Sequence, residues 1–137
     1  MINSYTNTTQ TVAVNELLSF AEDRVKTGCT VVHTPGSTTF ALKRPGFYFV
    51  TLNADVTTSE TAGNVVLTLQ NNGTAIPGAV ATSYAAAAVN VGNVAFSAII
   101  QVRPSCCAVS NTTNLTVANT GVGATISNVS LIITKLA

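Results

Sequence analysis

The stretch LKRPGFYFVTLNADV, from Leu42 to Val56, is the part of the sequence that most clearly indicates the fold. Two basic residues precede a Pro-Gly pair, and a long apolar and aromatic run follows. From Phe47 onward the side chains fall into two alternating sets, and this alternation predicts a β-strand that contributes to the core. The Pro-Gly pair is predicted to make the turn before this strand, with Lys43 and Arg44 at the surface. Asp55 is interpreted as a strand-end residue that pairs with a basic group.

Outside this stretch, most of the chain has the period of two that is typical of strands. Short runs rich in Val, Thr and Ile are separated by Gly, Pro and Asn turns, and NNG at 71–73 indicates a hairpin because Asn and Gly accept positive φ. About eight to ten strands at this spacing predict an all-β sandwich or jelly roll. We expect residues 1–10 to be a flexible polar segment and residues 11–137 to form one jelly-roll domain, whose first and last strands pair.

Charged residues are scarce and unevenly distributed. Only 8% of the 137 residues are charged, the net charge is +1, and hydrophobic residues make up 47%. Between Thr61 and Thr134 the one charged residue is Arg103. Such a second half either covers its outer faces with Thr, Ser and Asn or buries part of its surface against other subunits. The composition predicts no nucleic-acid partner, because basic and aromatic side chains are not interleaved as a strand-binding groove requires.

The three cysteines are Cys29, Cys106 and Cys107. An odd count without a secretory leader argues against a disulfide framework, and buried thiols are the favoured interpretation. Together with His33 these cysteines have the ligand types that zinc prefers, but their spacing lacks a zinc knuckle. The sequence therefore predicts no metal site and no cofactor.

The N-terminal segment MINSYTNTTQ has no basic region followed by an apolar one, so no signal peptide is predicted. Apolar runs elsewhere are shorter than the ~20 residues of a membrane-spanning helix, and membrane insertion is not expected. We expect synthesis in the cytoplasm and a final location in a phage particle or at a cell or spore surface.

A longer pattern around the opening stretch resembles the signature of the complement C1q globular head and its tumour-necrosis-factor-like (TNF-like) relatives. The matching residues are Phe40, Pro45, Gly46, Phe47, Tyr48 and Phe49. The segments RVKTGCTVVHTPGSTTFAL, VVLTLQNNGTAIPGA and NLTVANTGVGATISNVSLIITKL extend the resemblance to nearly all of the chain from Val12 onward. With the vicinal cysteines, this layout is similar to small C1q-like proteins of Firmicutes and their prophages, and to the C-terminal domain of the BclA spore-surface glycoproteins.

The resemblance implies a ten-stranded jelly roll that assembles as a homotrimer, with a structural, adhesive or ligand-presenting role rather than catalysis. It does not imply a calcium site here, because Asp55 alone cannot supply the roughly six to eight oxygens that calcium takes. A closed trimer would also explain the chargeless second half. The residues predicted to fill either the trimer interface or the sandwich core, with the core favoured for any one of them, are Tyr48, Tyr84, Val94, Phe96 and Ala98.

The sequence raises three classes of function. The first is a trimeric structural or adhesion protein whose three equal sites bind a repeated cell-surface glycan or protein ligand. Its ligand contacts are expected on loops at one end of the roll, TTSETAGN (57–64) and VRPSCCAVSNTTN (102–114). The second is a lectin-like carbohydrate-binding module, which Asn, Thr and Tyr in loops would suit. The third, an enzyme, is not favoured, because a Ser-His-Asp arrangement would have to use His33 and no catalytic motif surrounds the carboxylates.

Overall fold

Strands of alternating apolar and polar residues make up most of the chain. The computed structural model describes residues 1–59, 62–87, 89–104 and 113–137, and within these ranges it contains eleven strands and no helix. The strands are β1 (Ile2–Thr6), β2 (Gln10–Val12), β3 (Glu22–Lys26), β4 (Val31–Val32), β5 (Phe40–Leu42), β6 (Gly46–Thr58), β7 (Gly63–Asn71), β8 (Thr74–Ala85), β9 (Gly92–Val102), β10 (Thr113–Asn119) and β11 (Ala124–Lys135).

Two antiparallel sheets pack face to face and enclose one core. Sheet A has the strand order β3-β1-β11-β6-β9, with β2 also paired to β11, and sheet B has the order β4-β5-β10-β7-β8. The first strand pairs with the last, with Ile2 opposite Ile133, as expected for a jelly roll. The predicted all-β jelly-roll fold is therefore confirmed.

The described residues contain eleven strands rather than the ten that the resemblance implied, and two of them, β1 and β2, pair with different parts of β11. β1 pairs with Val129–Ile133, and β2 pairs with Ala124–Ile126. The β11 ladder shifts register between Ser127 and Ser130, at a β-bulge. This bulge, in the pairing of β11 with β6, lies between the segments of β11 that pair with β2 and with β1.

The N-terminal segment is not the flexible extension expected for residues 1–10. β1 lies between β11 and β3 in sheet A, and Ile2, Ser4 and Thr6 are buried. The hydroxyl of Thr6 donates to the Ser19 carbonyl at 3.1 Å and accepts from the Ala21 amide at 2.9 Å. Because these hydrogen bonds satisfy buried hydroxyls, a segment of polar composition can form an interior strand.

The side chains of β6 divide between the core and the outer surface of sheet A. Tyr48, Val50 and Leu52 are at most 1% exposed, whereas Phe47 and Phe49 are partly exposed. The Tyr48 hydroxyl donates to a backbone carbonyl, that of residue 44, at 2.6 Å, so the polar atom of the buried ring is satisfied. Of the three consecutive aromatic residues, only the central one enters the core.

Gly46, the first residue of β6, is in contact with the end of the last strand. Its φ is 141°, and a Cβ there would overlap the carbonyl oxygen of Ala137. The Phe47 amide donates to that same oxygen at 3.0 Å, and the Leu136 amide donates to the Phe47 carbonyl at 2.7 Å. Glycine is therefore required here for close backbone approach as well as for its conformation.

Candidate interaction surface

Four apolar side chains on the outer face of sheet A form a contiguous surface, which we name the apolar patch: Phe47, Phe49, Ile99 and Ile132. Their exposed fractions are 44%, 36%, 62% and 37% respectively. Phe49 is directly opposite Ile99 of β9, and Ile132 of β11 lies one row away, opposite Thr51. Directly opposed side chains are about 5 Å apart, so Phe49 and Ile99 are neighbours, and Phe47 and Ile132 each lie one row from Phe49 on the same face. A contiguous exposed apolar patch on a small domain marks a site of interaction.

Toward the Thr58 end of β6, the same face becomes polar and centres on Asp55. The Asn93 side-chain amide donates to Asn53 Oδ1 at 2.7 Å and to Asp55 Oδ1 at 3.0 Å. Asn128, which has a φ of 51° at the bulge of β11, donates to the second Asp55 oxygen at 3.1 Å. These two donors, Asn93 first, lower the pKa of Asp55. The interpretation of Asp55 as a strand-end residue paired with a basic group is wrong, because β6 continues beyond it and its partners are amides.

Three of the four strands at the ends of the two sheet orders have features that disfavour pairing with another chain. β3 has four charged residues among its five, EDRVK, and β4 is only two residues long. β8 contains Pro77 and a positive-φ Gly78 next to a register shift. The fourth edge is β9, whose eleven residues include no charge and no proline. Because Ile99 lies on β9, the apolar patch extends to this unprotected edge.

The five residues predicted for the core or the trimer interface separate into two groups. Tyr48, Val94 and Phe96 lie in the core, and Ala98 is partly buried against it. Tyr84 is 67% exposed on the outer face of sheet B. Of the five, Tyr84 is therefore the side chain most available for contact with another molecule.

Sequence reasoning did not select the apolar patch, although the strands contain a signal for it. On β9, Ile99 lies between Ala98 and Ile100, which face the interior. On β6, Phe47 and Phe49 occupy the phase opposite to the buried Tyr48. An apolar side chain in the solvent phase of an alternating strand is the feature that could have identified the patch.

The two loops predicted to form one ligand site leave the sandwich at opposite ends. β6 pairs antiparallel with β9, so Gly46 lies beside Val102 and Val56 lies beside Gly92. The connection after β9 therefore starts at the Gly46 end, whereas the connection after β6 starts at the Thr58 end. A strand of 13 residues separates these ends by about 40 Å. The prediction of one site built from both loops is wrong, although residues 60–61 and 105–112 lie outside the described ranges.

His33 belongs to a buried polar cluster with Asp23 and Ser4. Its Nδ1 is 2.6 Å from Asp23 Oδ1, and its Nε2 is 3.0 Å from the Ser37 carbonyl oxygen. The Ser4 hydroxyl donates to Asp23 Oδ1 at 2.5 Å, whereas it is 3.4 Å from His33 Nδ1. Ser4 and His33 are at most 1% exposed. Since both ring nitrogens are engaged, neither is available to activate a nucleophile or to bind a metal.

The cysteines do not converge on this histidine in the part of the chain that the structure describes. Cys29 is exposed in the connection between β3 and β4, so the expectation of a buried thiol is wrong at this position. Cys106 and Cys107 lie outside the described ranges. Among the described residues, no group of three or more His, Cys, Asp or Glu side chains could hold a metal ion.

No helix in the described ranges is long and apolar enough to cross a membrane.

Several solved structures have the same fold at low sequence identity. Murine APRIL at pH 8.0 matches with a TM-score of 0.67 and 10% identity, covering 98% of this chain and 97% of that chain. The PRD1 vertex protein P5 matches with a TM-score of 0.58 and 15% identity, covering 99% of this chain and 96% of that chain. No protein-family model matches the sequence, and no curated protein matches it. At such identities the similarity shows the fold, which is the TNF-like jelly roll that the sequence resemblance implied.

Proposed function

We propose that the chain assembles as a homotrimer in which the apolar patch and the β9 edge of each subunit contact the next subunit. Each contact joins the apolar patch and β9 edge of one subunit to a different surface of the next subunit. Three such contacts around a three-fold axis close a ring. The TNF-like fold supports this assembly, because the family resemblance implies trimers.

The observation that carries the proposal is the continuity of the apolar patch with an unprotected sheet edge. Ile99 is 62% exposed and lies on that edge. A monomer would leave the patch in water, and β9 is an edge strand, so both features favour contact with another chain. A neighbouring subunit would cover both features together. The scarcity of charge in the second half of the chain agrees with such coverage.

We further propose that this trimer is a non-enzymatic structural or adhesion head in a phage particle or at a bacterial cell or spore surface. Three equal binding sites on one rigid assembly give avidity for a repeated ligand even when each site binds weakly. The similarity in fold to a protein named for a vertex supports a place in a particle. The engagement of both His33 nitrogens supports a role without catalysis.

Light scattering on the purified chain tests the assembly. We expect a mass three times the 14.0 kDa of one chain. Ile99→Asp should give monomers, because a carboxylate in the patch would be desolvated without a partner. Val14→Asp is the matched control, since Val14 is 52% exposed outside the patch, and it should remain trimeric. A monomeric wild type would contradict the trimer, and a trimeric Ile99→Asp would contradict the interface.

Immunogold labelling with an antibody against the chain tests the location. Purified phage particles and spores from the producing strain are the two samples, and we expect label on one of them. Absence of label from both particles and from the cell surface would overturn the proposed role.

A further inference from the structure

The outer face of sheet B presents an exposed tyrosine among neutral polar side chains near the Thr58 end. Tyr84 of β8 is 67% exposed and lies directly opposite Asn64 of β7. Thr82, two residues earlier on the same strand, is exposed on the same face. An amide and a hydroxyl therefore lie beside one accessible aromatic ring, and Val66 and Val80 add apolar side chains to the same face.

Strands β7 and β8 hold Tyr84, Asn64 and Thr82 in a fixed arrangement. Ala85 and Ala81, on the opposite phase of β8, and Val65 of β7 are buried in the core beneath it. The amide of Val122 donates to the Asn64 carbonyl at 3.0 Å, so the chain after β10 extends the hydrogen-bonded surface beyond β7. A ligand that binds here would not have to order a loop, and that lowers the entropic cost of binding.

The absence of charged side chains from the strands of this face favours an uncharged ligand. β7, β8 and β10 contain no Asp, Glu, Lys or Arg. Asn and Thr side chains both donate and accept hydrogen bonds, and sugar hydroxyls do the same. The face of an exposed tyrosine ring offers apolar area for the C–H face of a sugar, and its hydroxyl offers a polar contact at the rim.

The apolar patch and this face lie on different sheets. The patch is on the outer side of sheet A near Gly46, whereas Tyr84 is on the outer side of sheet B. Gly63 pairs with Ala85, so Tyr84 lies near the Thr58 end of the sandwich. The two surfaces therefore differ in both side and end.

We propose that the surface formed by Tyr84, Asn64 and Thr82 binds a neutral polysaccharide. The inference rests on the proposed trimer, which would present three copies of this surface and so bind a repeating glycan by avidity. The ring packs on a sugar face, and the amide and hydroxyl groups orient the sugar through its hydroxyls.

Affinity gel electrophoresis tests the proposal with dextran, laminarin and galactomannan as neutral probes and alginate as an anionic one. We expect at least one neutral probe to retard the wild type more than alginate does. Tyr84→Ala should bind that probe about tenfold more weakly or worse, because the stacking surface is lost. Tyr84→Phe should keep more of the affinity, since it removes only the hydroxyl. Tyr5→Ala, which removes a tyrosine from sheet A, is the matched control and should bind as the wild type does.

Light scattering on the same samples separates the possible failures. A trimeric wild type that no neutral probe retards would overturn the glycan proposal and leave the proposed trimer standing, whereas a monomeric wild type would contradict the trimer. Unchanged binding by a folded Tyr84→Ala, or stronger retardation by alginate, would also overturn the inference. Tyr84 is an exposed side chain, so the variant is expected to fold, and its melting temperature provides the check.

Discussion

The imidazole of His33 and the carboxylate of Asp23 form a buried pair, with Nδ1 and Oδ1 2.6 Å apart. Asp23 is on β3 of sheet A and His33 directly follows β4 of sheet B, so the pair connects the edges of the two sheets. The imidazole also stacks on the ring of Phe40, with centroids 4.3 Å apart. The Lys26 ammonium donates to the His33 carbonyl at 2.8 Å. The cluster therefore fastens the charged edge of sheet A to sheet B.

Replacing His33 with Ala should lower the free energy of unfolding by about 3–5 kcal/mol, because it leaves the Asp23 carboxylate buried without its main partner. Urea denaturation at a fixed chain concentration measures the change. The double variant Asp23→Asn/His33→Ala should lose less than the sum of the single losses, since it also removes the carboxylate that has lost its histidine partner. Cys29→Ala, at an exposed position, is the control. A loss under about 0.5 kcal/mol in His33→Ala would contradict the stabilising role.

The buried ring of Tyr48 should contribute more to stability than its hydroxyl does. Tyr48→Ala, and likewise Phe96→Ala, should cost about 3–5 kcal/mol because each leaves a cavity in the core. Tyr48→Phe should cost only about 1 kcal/mol, the net value of the hydrogen bond to the Arg44 carbonyl. The same denaturation assay compares the three variants. Equal losses in Tyr48→Ala and Tyr48→Phe would show that packing of the ring is not the main contribution.

Asp55 should stabilise the protein at neutral pH and lose that effect in acid. Its pKa is lowered by the amides of Asn93 and Asn128, which donate to the ionised carboxylate. A lowered folded-state pKa gives stability that is present above the unfolded value of about 3.9 and is lost as pH falls through the folded value. Asp55→Asn should therefore melt below the wild type at neutral pH, and the difference should shrink as the pH falls below the unfolded-state value and through the lowered folded-state pKa.

An NMR titration checks the physical cause of this pH dependence. Asn93→Ala removes the larger of the two donors, so the pKa of Asp55 should rise toward its ordinary value. Tyr84→Ala, on the other sheet, is the control and should leave that titration unchanged. A pKa of Asp55 that stays at the wild-type value in Asn93→Ala would contradict the assignment.

Gly46→Ala should destabilise the protein more than Gly36→Ala. Both glycines have positive φ, 141° and 89°, so both substitutions introduce backbone strain of about 1–2 kcal/mol. A Cβ at Gly46 would in addition overlap the Ala137 carbonyl, whereas a Cβ at Gly36 would meet nothing within 4 Å. The difference between the two melting temperatures isolates the overlap with the last strand. Equal melting temperatures would mean that this close approach contributes nothing.

The sequence by itself determined the fold class and the facing of regular strands such as β6. Alternation is a local property of extended backbone, so the separation of Tyr48 and Val50 from Phe47 and Phe49 follows from the order of residues alone. The turn at 71–73 was also predictable, because Asn72 and Gly73 have φ values of 50° and 85°, as the NNG motif indicates. For the same reason, the sequence contained the apolar patch as exposed-phase residues before any strand pairing was known.

The tertiary structure alone decided which distant residues meet. The strand character of β1 depends on β11 at the other end of the chain, so polar composition concealed it. Ser4, Asp23 and His33 come together only because β1 and β3 pair and the two sheets close over the core. Asp55 finds two amides through its neighbours in sheet A, and antiparallel pairing places the two predicted ligand loops at opposite ends. Each of these features depends on register between strands far apart in sequence, which periodicity within a strand does not encode.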